Sequence, residues 1–139
     1  MPKSTQSIQV FLLYAHKDKE IVYKLSQRLG RDGINVWLDA ERLQPGQVWE
    51  HEIRRAILKS DVVIACLSEN FSKPPGYRHE ELKIALEKAN MLMDDAVFII
   101  PVRLGPCSMP DALQHLQRVD LFESSGYKKL IRALQEHAK

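Results

Sequence analysis

Residues 61–67 read "DVVIACL", and after Asp61 the run carries no charged side chain or amide. A stretch this short and this apolar has no wet face, so it is expected as a strand covered on both sides of a sheet. Working outward, residues 49–57 place Trp49, Ile53, Ala56 and Ile57 on one face of a helix. On the other side lies "PPGYRHEELKIALEKA", residues 74–89, whose Leu82, Ala85, Leu86 and Ala89 form an apolar helical stripe. Beyond it comes another apolar run, "AVFIIPV", residues 96–102.

The rest of the chain repeats this alternation. "SIQVFLL" (residues 7–13) reads as a first strand, and "INVWL" (34–38) as a second. Between them, "DKEIVYKLSQRLGRDG" places Ile21, Val22, Leu25 and Leu29 at helical spacing, with Asp18 a candidate N-cap and Gly33 a candidate terminator. The loop "DAERLQPGQ" (39–47) contains Pro45-Gly46, a pair suited to a type II turn. A short turn near residues 111–117, a brief fifth strand near "RVDL" and a helix from Ser124 to His137 close the chain. Strand–helix alternation implies a parallel sheet with helices on both faces. The expected fold is α/β: a flavodoxin-like, doubly wound, five-stranded parallel sheet in a single domain over residues 8–137, behind an N-terminal tail of residues 1–7. Ligands of such sheets sit beyond the carboxyl ends of the strands, which directs attention to the loops after the first three.

Composition narrows the function classes. The 139 residues are 45% hydrophobic and 27% charged, as expected of a globular domain. A net charge of +2 with scattered Lys and Arg gives no basic stripe for nucleic-acid phosphates. The apolar runs are too short to span a bilayer, and the opening "MPKSTQS" is polar, so neither a membrane partner nor a secretory leader is expected. Two cysteines make no disulfide framework, and a reduced, cytoplasmic setting follows. No G-x-G pair marks a dinucleotide or phosphate loop. "HEIRR" and "HEELK" each lack the second histidine of a zinc-protease helix, and no C-x-x-C occurs, so no metal site is expected. A receiver domain needs an aspartate closing the third strand, where Ser68 and Glu69 stand instead. The bulky, charged "YAHKDK" does not suit a flavin phosphate loop. Cys66, inside a buried run, reads as an inert core thiol.

Two adjacent glutamates open the helix of residues 74–89. At roughly 100° per residue, Glu80 falls almost opposite the stripe and Glu81 about a quarter turn from it. Glu80 is therefore expected in solvent and Glu81 at the edge of buried surface, where the helix dipole favours an ionised carboxylate. Acidic residues also collect in first turns for dipole reasons alone, and both readings stand at this point. Tyr77, Ile84 and Met91 recur on the face opposite the stripe, either as scattered surface apolars or as a self-association patch.

Together the segments resemble a TIR (Toll/interleukin receptor) domain of the bacterial type. "VFLLYAHKDKE" resembles the family's opening strand and loop. "LGRDGINVWLDAERLQPGQVWEHEIRRAILKSDVVIACLSENF" resembles its second and third strands with the loop between them. "GYRHEELKIALE" resembles the helix start that carries the family's glutamate, and "IIPVRL" its fourth strand. The resemblance implies an enzyme that cleaves NAD+ at the nicotinamide–ribose bond, giving nicotinamide with ADP-ribose or a cyclic isomer. NAD+ is then the substrate, and no cofactor is required. The essential glutamate falls on Glu81. The resemblance also implies a substrate pocket lined by Tyr14, Ala15 and His16, partly through backbone atoms, and a gating loop carrying Asp39, Arg42 and Leu43. It further implies contributions from Tyr77 and Trp49. Taken singly, His16 is more often a solvated loop histidine, Asp39 also reads as a loop cap and Tyr14 as packing, and Trp49 reads equally as core. Leu13 and Ala15 replace serines usual in the family, and Arg78 adds a cation beside the glutamate. The implied partners are a second copy of the domain, through TIR–TIR contacts, and a fused or separate sensor in a bacterial defence or signalling system. The other reading is a non-catalytic adaptor working through the same contacts.

Overall fold

The strand at residues 62–67 occupies the middle of the sheet, as its lack of polar side chains demands. The computed structural model describes residues 8–38, 46, 49–72, 79–92 and 96–138. Within them β1 (Gln9–Leu13), β2 (Asn35–Leu38), β3 (Val62–Leu67), β4 (Ile99–Arg103) and β5 (Val119–Asp120) form one sheet in the order β2-β1-β3-β4-β5. All four pairings are parallel. Every residue of β3 is buried, and β1 and β4 beside it are nearly so. At the amino end of the β1–β3 pair, Asp61 and Gln9 close the ladder. Asp61 N donates to Gln9 O at 2.8 Å, and Gln9 N donates to the Asp61 carboxylate at 2.9 Å.

Alternation along the strands splits the core in two. Val10 and Leu12 of β1, Ile64 and Cys66 of β3, and Val102 of β4 face the helices α1 (Lys19–Arg31) and α5 (Gly126–Ala138). Phe11, Leu13, Val63, Ala65 and Leu67 face α2 (Trp49–Lys59), the short α3 (Glu69–Ser72) and α4 (His79–Met91). Phe11 stacks on Trp37 of the neighbouring strand, with ring centroids 5.2 Å apart. Helix residues such as Leu29, Ile57 and Leu130 are fully buried. Each contributes on the order of 2 kcal/mol by leaving water. One sheet with two filled faces makes a single domain, in agreement with the expected α/β architecture. Among the described residues no helix is long and apolar enough to cross a membrane.

Helix ends follow the sequence in one place and depart from it in another. Gly33 takes φ 86°, with its N–H on Gly30 O at 3.1 Å and that of Ile34 on Leu29 O at 3.0 Å. That is a Schellman ending, and glycine is needed for its left-handed turn. Gly46, at φ 90°, has the sign that the third position of a type II turn requires. Asp18 precedes α1 but makes no side-chain cap bond. Its carboxylate is buried and faces another loop, described below.

Two further expectations change. A short helix, α3, stands between β3 and α4, where the sequence pattern places none. It forms because Ser68 Oγ accepts the Phe71 N–H at 3.2 Å as a cap, while Phe71 is fully buried beneath it. Ile84 does not belong to an outer patch, because it packs partly buried against the core beside Leu82 and Ala85. Met91 is 84% exposed, and Tyr77 lies outside the described residues, as does the tail of residues 1–7.

Candidate functional site

The strand order changes direction between β1 and β3, since β2 follows β1 on one side and β3 lies on the other. The helices that follow β1 and β3 therefore cover opposite faces of the sheet, and the carboxyl end between them is where ligands of such sheets occupy a crevice. Because α4 leads from β3 to the parallel strand β4, it must start at that same end. Glu81, in its first turn, is placed there by topology.

The two glutamates separate as their helical positions require: Glu80 is exposed and Glu81 half-buried. The burial of Ile84 sharpens this. Glu81 precedes Ile84 by three residues and Ala85 by four, so it stands on the covered side of α4, one turn before both. Leu82, directly after it, is 2% exposed and belongs to the same packed cluster as Ala15, Leu67 and Phe71. A carboxylate thus held at the rim of the core, near the positive end of a helix, is suited to stabilising developing positive charge.

After β1, Tyr14 and Ala15 are buried, Tyr14 toward α1 and α5 and Ala15 toward α2, α3 and α4. What this turn presents to the crevice is backbone, followed by the exposed His16 at the start of a 3-10 turn (His16–Asp18). Asp39, Arg42, Leu43 and Tyr77 lie outside the described residues. Trp49 opens α2, with its side chain outside the description.

Sequence reasoning missed a polar bridge across the crevice. Asp18 is 4% exposed. Its Oδ2 accepts a hydrogen bond from Ser68 Oγ, and its Oδ1 accepts one from Asn70 Nδ2 at 2.8 Å. Local sequence masked the role, because an aspartate before a helix reads as a cap and its partners lie 50 and 52 positions away. Burial, and then the nearby Asp18 carboxylate, push the Cys66 thiol far above its ordinary value, so Cys66 is an inert thiol.

A separate cleft of about 720 Å³ opens beyond β4 and β5, among Cys107, Met109, His115, Arg118, Asp120 and Lys129. Neither Glu81 nor the turn after β1 lines it, so its size says nothing of chemistry at Glu81. The strand order and the burial of individual residues carry the site assignment instead.

Comparison with known proteins agrees with this architecture. A family model described as TIR domain matches residues 10–135. An uncharacterized protein of Sinorhizobium fredii is 30% identical over 129 residues, covering 91% of this chain and 20% of the relative. The NAD(+) hydrolase TirS of Staphylococcus aureus is 31% identical over 94 residues, covering 67% of this chain and 32% of TirS. The NAD(+) hydrolase TcpA of a Theionarchaea archaeon is 36% identical over 63 residues, 45% of this chain and 19% of TcpA. The chain thus spans a third or less of each of these relatives. Among solved structures, the TIR domain of the Toll-related receptor TRR-2 of Hydra magnipapillata superposes with a TM-score of 0.73 at 24% identity, covering 93% of this chain and 99% of that one. The TIR domains of the activated Roq1 resistosome give 0.60 at 26% identity, covering 70% and 57%.

Proposed function

The chain belongs to the TIR-domain family, and from that premise we propose that it cleaves NAD+ at the nicotinamide–ribose bond with Glu81 as the catalytic carboxylate. The products are nicotinamide and ADP-ribose or a cyclic ADP-ribose isomer. Nicotinamide is cationic in NAD+ and departs as a neutral base, so departure needs no general acid. The positive charge left behind spreads over the ribose C1′ and ring oxygen. A fixed carboxylate at Glu81 stabilises that charge and accepts hydrogen bonds from ribose hydroxyls. Attack by water completes hydrolysis, and attack by an adenine nitrogen of the same molecule completes cyclisation.

The observation that carries this reading is the difference between the neighbouring glutamates, with Glu81 half-buried at the carboxyl end of the sheet and Glu80 in solvent. The two relatives named NAD(+) hydrolases support it. His16, the backbone of Tyr14 and Ala15, and the segments carrying Asp39, Arg42, Leu43, Trp49 and Tyr77 are proposed to surround the substrate. Assembly with further copies, under control of a sensor in a defence or signalling system, is proposed as the route to activity.

The test follows nicotinamide release from NAD+ by chromatography at high protein density. Glu81→Ala is expected to abolish release while leaving the unfolding transition in place, and Glu80→Ala to keep most of it. Release by Glu81→Ala at the wild-type rate would overturn the assignment. Absence of nicotinamide at every density would favour the adaptor.

A further inference from the structure

The bridge at Asp18 has the form of a device rather than of incidental packing. An ionised carboxylate withdrawn from water costs several kcal/mol unless its oxygens are well bonded. Here each oxygen receives a donor, and both donors come from the far side of the crevice. The connections continue in both directions. Asp18 N–H donates to Ala15 O at 2.9 Å, which fixes the turn after β1. Ser68 Oγ, while donating to Asp18, accepts the Phe71 N–H. Phe71 is wholly buried in the cluster that contains Ala15 and Leu82, the residue next to Glu81. A chain of hydrogen bonds thus runs from Ala15 through Asp18 and Ser68 to Phe71, whose packed cluster also holds Leu82 at the start of α4.

We propose that Asp18 is a positioning residue, clamping the loop after β1 to the loop after β3 and thereby setting where Glu81 stands relative to the Ala15–His16 turn. This rests on the reading of Glu81 as the carboxylate that cleaves NAD+. The clamp uses two acceptors on residue 18, because Ser68 and Asn70 both donate to it. Asparagine at 18 alone keeps both contacts once the Asn70 amide turns over to present its oxygen, whereas Asn70→Asp sets acceptor against acceptor and breaks the second contact. Exchanging the types, with Asp18→Asn and Asn70→Asp together, restores one donor and one acceptor at that contact while Ser68 still finds an oxygen.

The experiment compares the whole chain with Asn70→Asp, Ser68→Ala and the double exchange. It measures nicotinamide release from NAD+ as kcat and KM, and amide hydrogen exchange at Phe71 and in the first turn of α4. Asn70→Asp is expected to lower kcat by about 10- to 100-fold, the effect of a small misplacement of a catalytic group, with KM much less altered. Exchange at Phe71 and Leu82 should quicken. Ser68→Ala should lower kcat more mildly while freeing the Phe71 N–H directly, and the double exchange should recover most of kcat. Unchanged kcat and exchange in Asn70→Asp would overturn the clamp. So would a double exchange no better than the single variant, since a merely structural loss has no reason to follow donor and acceptor pairing. If the wild-type chain releases no nicotinamide, the enzyme reading fails by itself. The exchange rates then decide the clamp, faster in Asn70→Asp upholding it and equal rates sinking it.

Discussion

Glu80 and Glu81 differ in fate through a single step of helical rotation, and the helix around them explains why. On a wheel the apolar stripe of α4 looks narrow, with Glu81 at its border. The packing of Ile84 widens the covered arc until Glu81 falls inside it, spared from full burial because the helix begins there. The mirror case is Gly126, the buried first residue of α5. A Cβ on it would lie 2.1 Å from Asp120 O and 2.9 Å from Leu121 Cα, both backbone atoms of the strand end. Neither can swing aside as a side-chain tip would. Gly126→Ala should therefore destabilise the domain by about 2 kcal/mol, despite alanine's better helix propensity. Urea unfolding measures it, and an unmoved midpoint would mean that the β5–α5 junction yields easily.

At the scale of elements, apolar content made the central strands legible and left the edges and joints obscure. "DVVIACL" needs no context to read as buried. By contrast, α3 exists through a serine cap and one buried phenylalanine, signals too short to separate from loop. The staple joining α2 to α4 was equally hidden: Lys88 Nζ donates to Leu58 O at 2.6 Å and Ser60 O at 2.7 Å, satisfying carbonyls at the end of α2. The β4–β5 edge is held by charge. Arg103 donates from Nε and Nη2 to the two Asp120 oxygens at 2.7 and 2.8 Å, and from Nη1 to Cys107 O at 2.9 Å. Hydrogen bonding to Arg103 is the main force holding the Asp120 carboxyl below its ordinary value of 3.8. A carboxyl depressed in the folded state adds stability at pH above its unfolded value, and that stability is lost as pH falls through the folded value. Asp120→Asn should cost about 2 kcal/mol near neutrality. The gap to wild type should close as pH drops below 3.8. Denaturant midpoints across pH 2–7 measure it, and a constant gap would show that the charge contributes nothing.

For the whole molecule, the fold was readable because strand–helix alternation admits few topologies, while the site was readable only in part because its pieces meet through space. Glu81 could be found from its own helix. Asp18 could not, since its meaning depends on Ser68 and Asn70 arriving from the far side of the switch in strand order. The same geometry bears on assembly. A half-buried Glu81 leaves one side of the proposed site to water, which weakens its hold on a developing cation. A second copy laid over the crevice would exclude that water and strengthen the interaction without any change in the fold. If catalysis belongs to the assembled form, nicotinamide released per molecule should climb with protein concentration, and rise nearly in proportion while dimers remain scarce. Tethering two copies by a flexible linker should lift the dilute rate toward the concentrated one. Turnover per molecule that stays constant across about a hundredfold range of concentration, in tethered and untethered chains alike, would place the complete site within one copy.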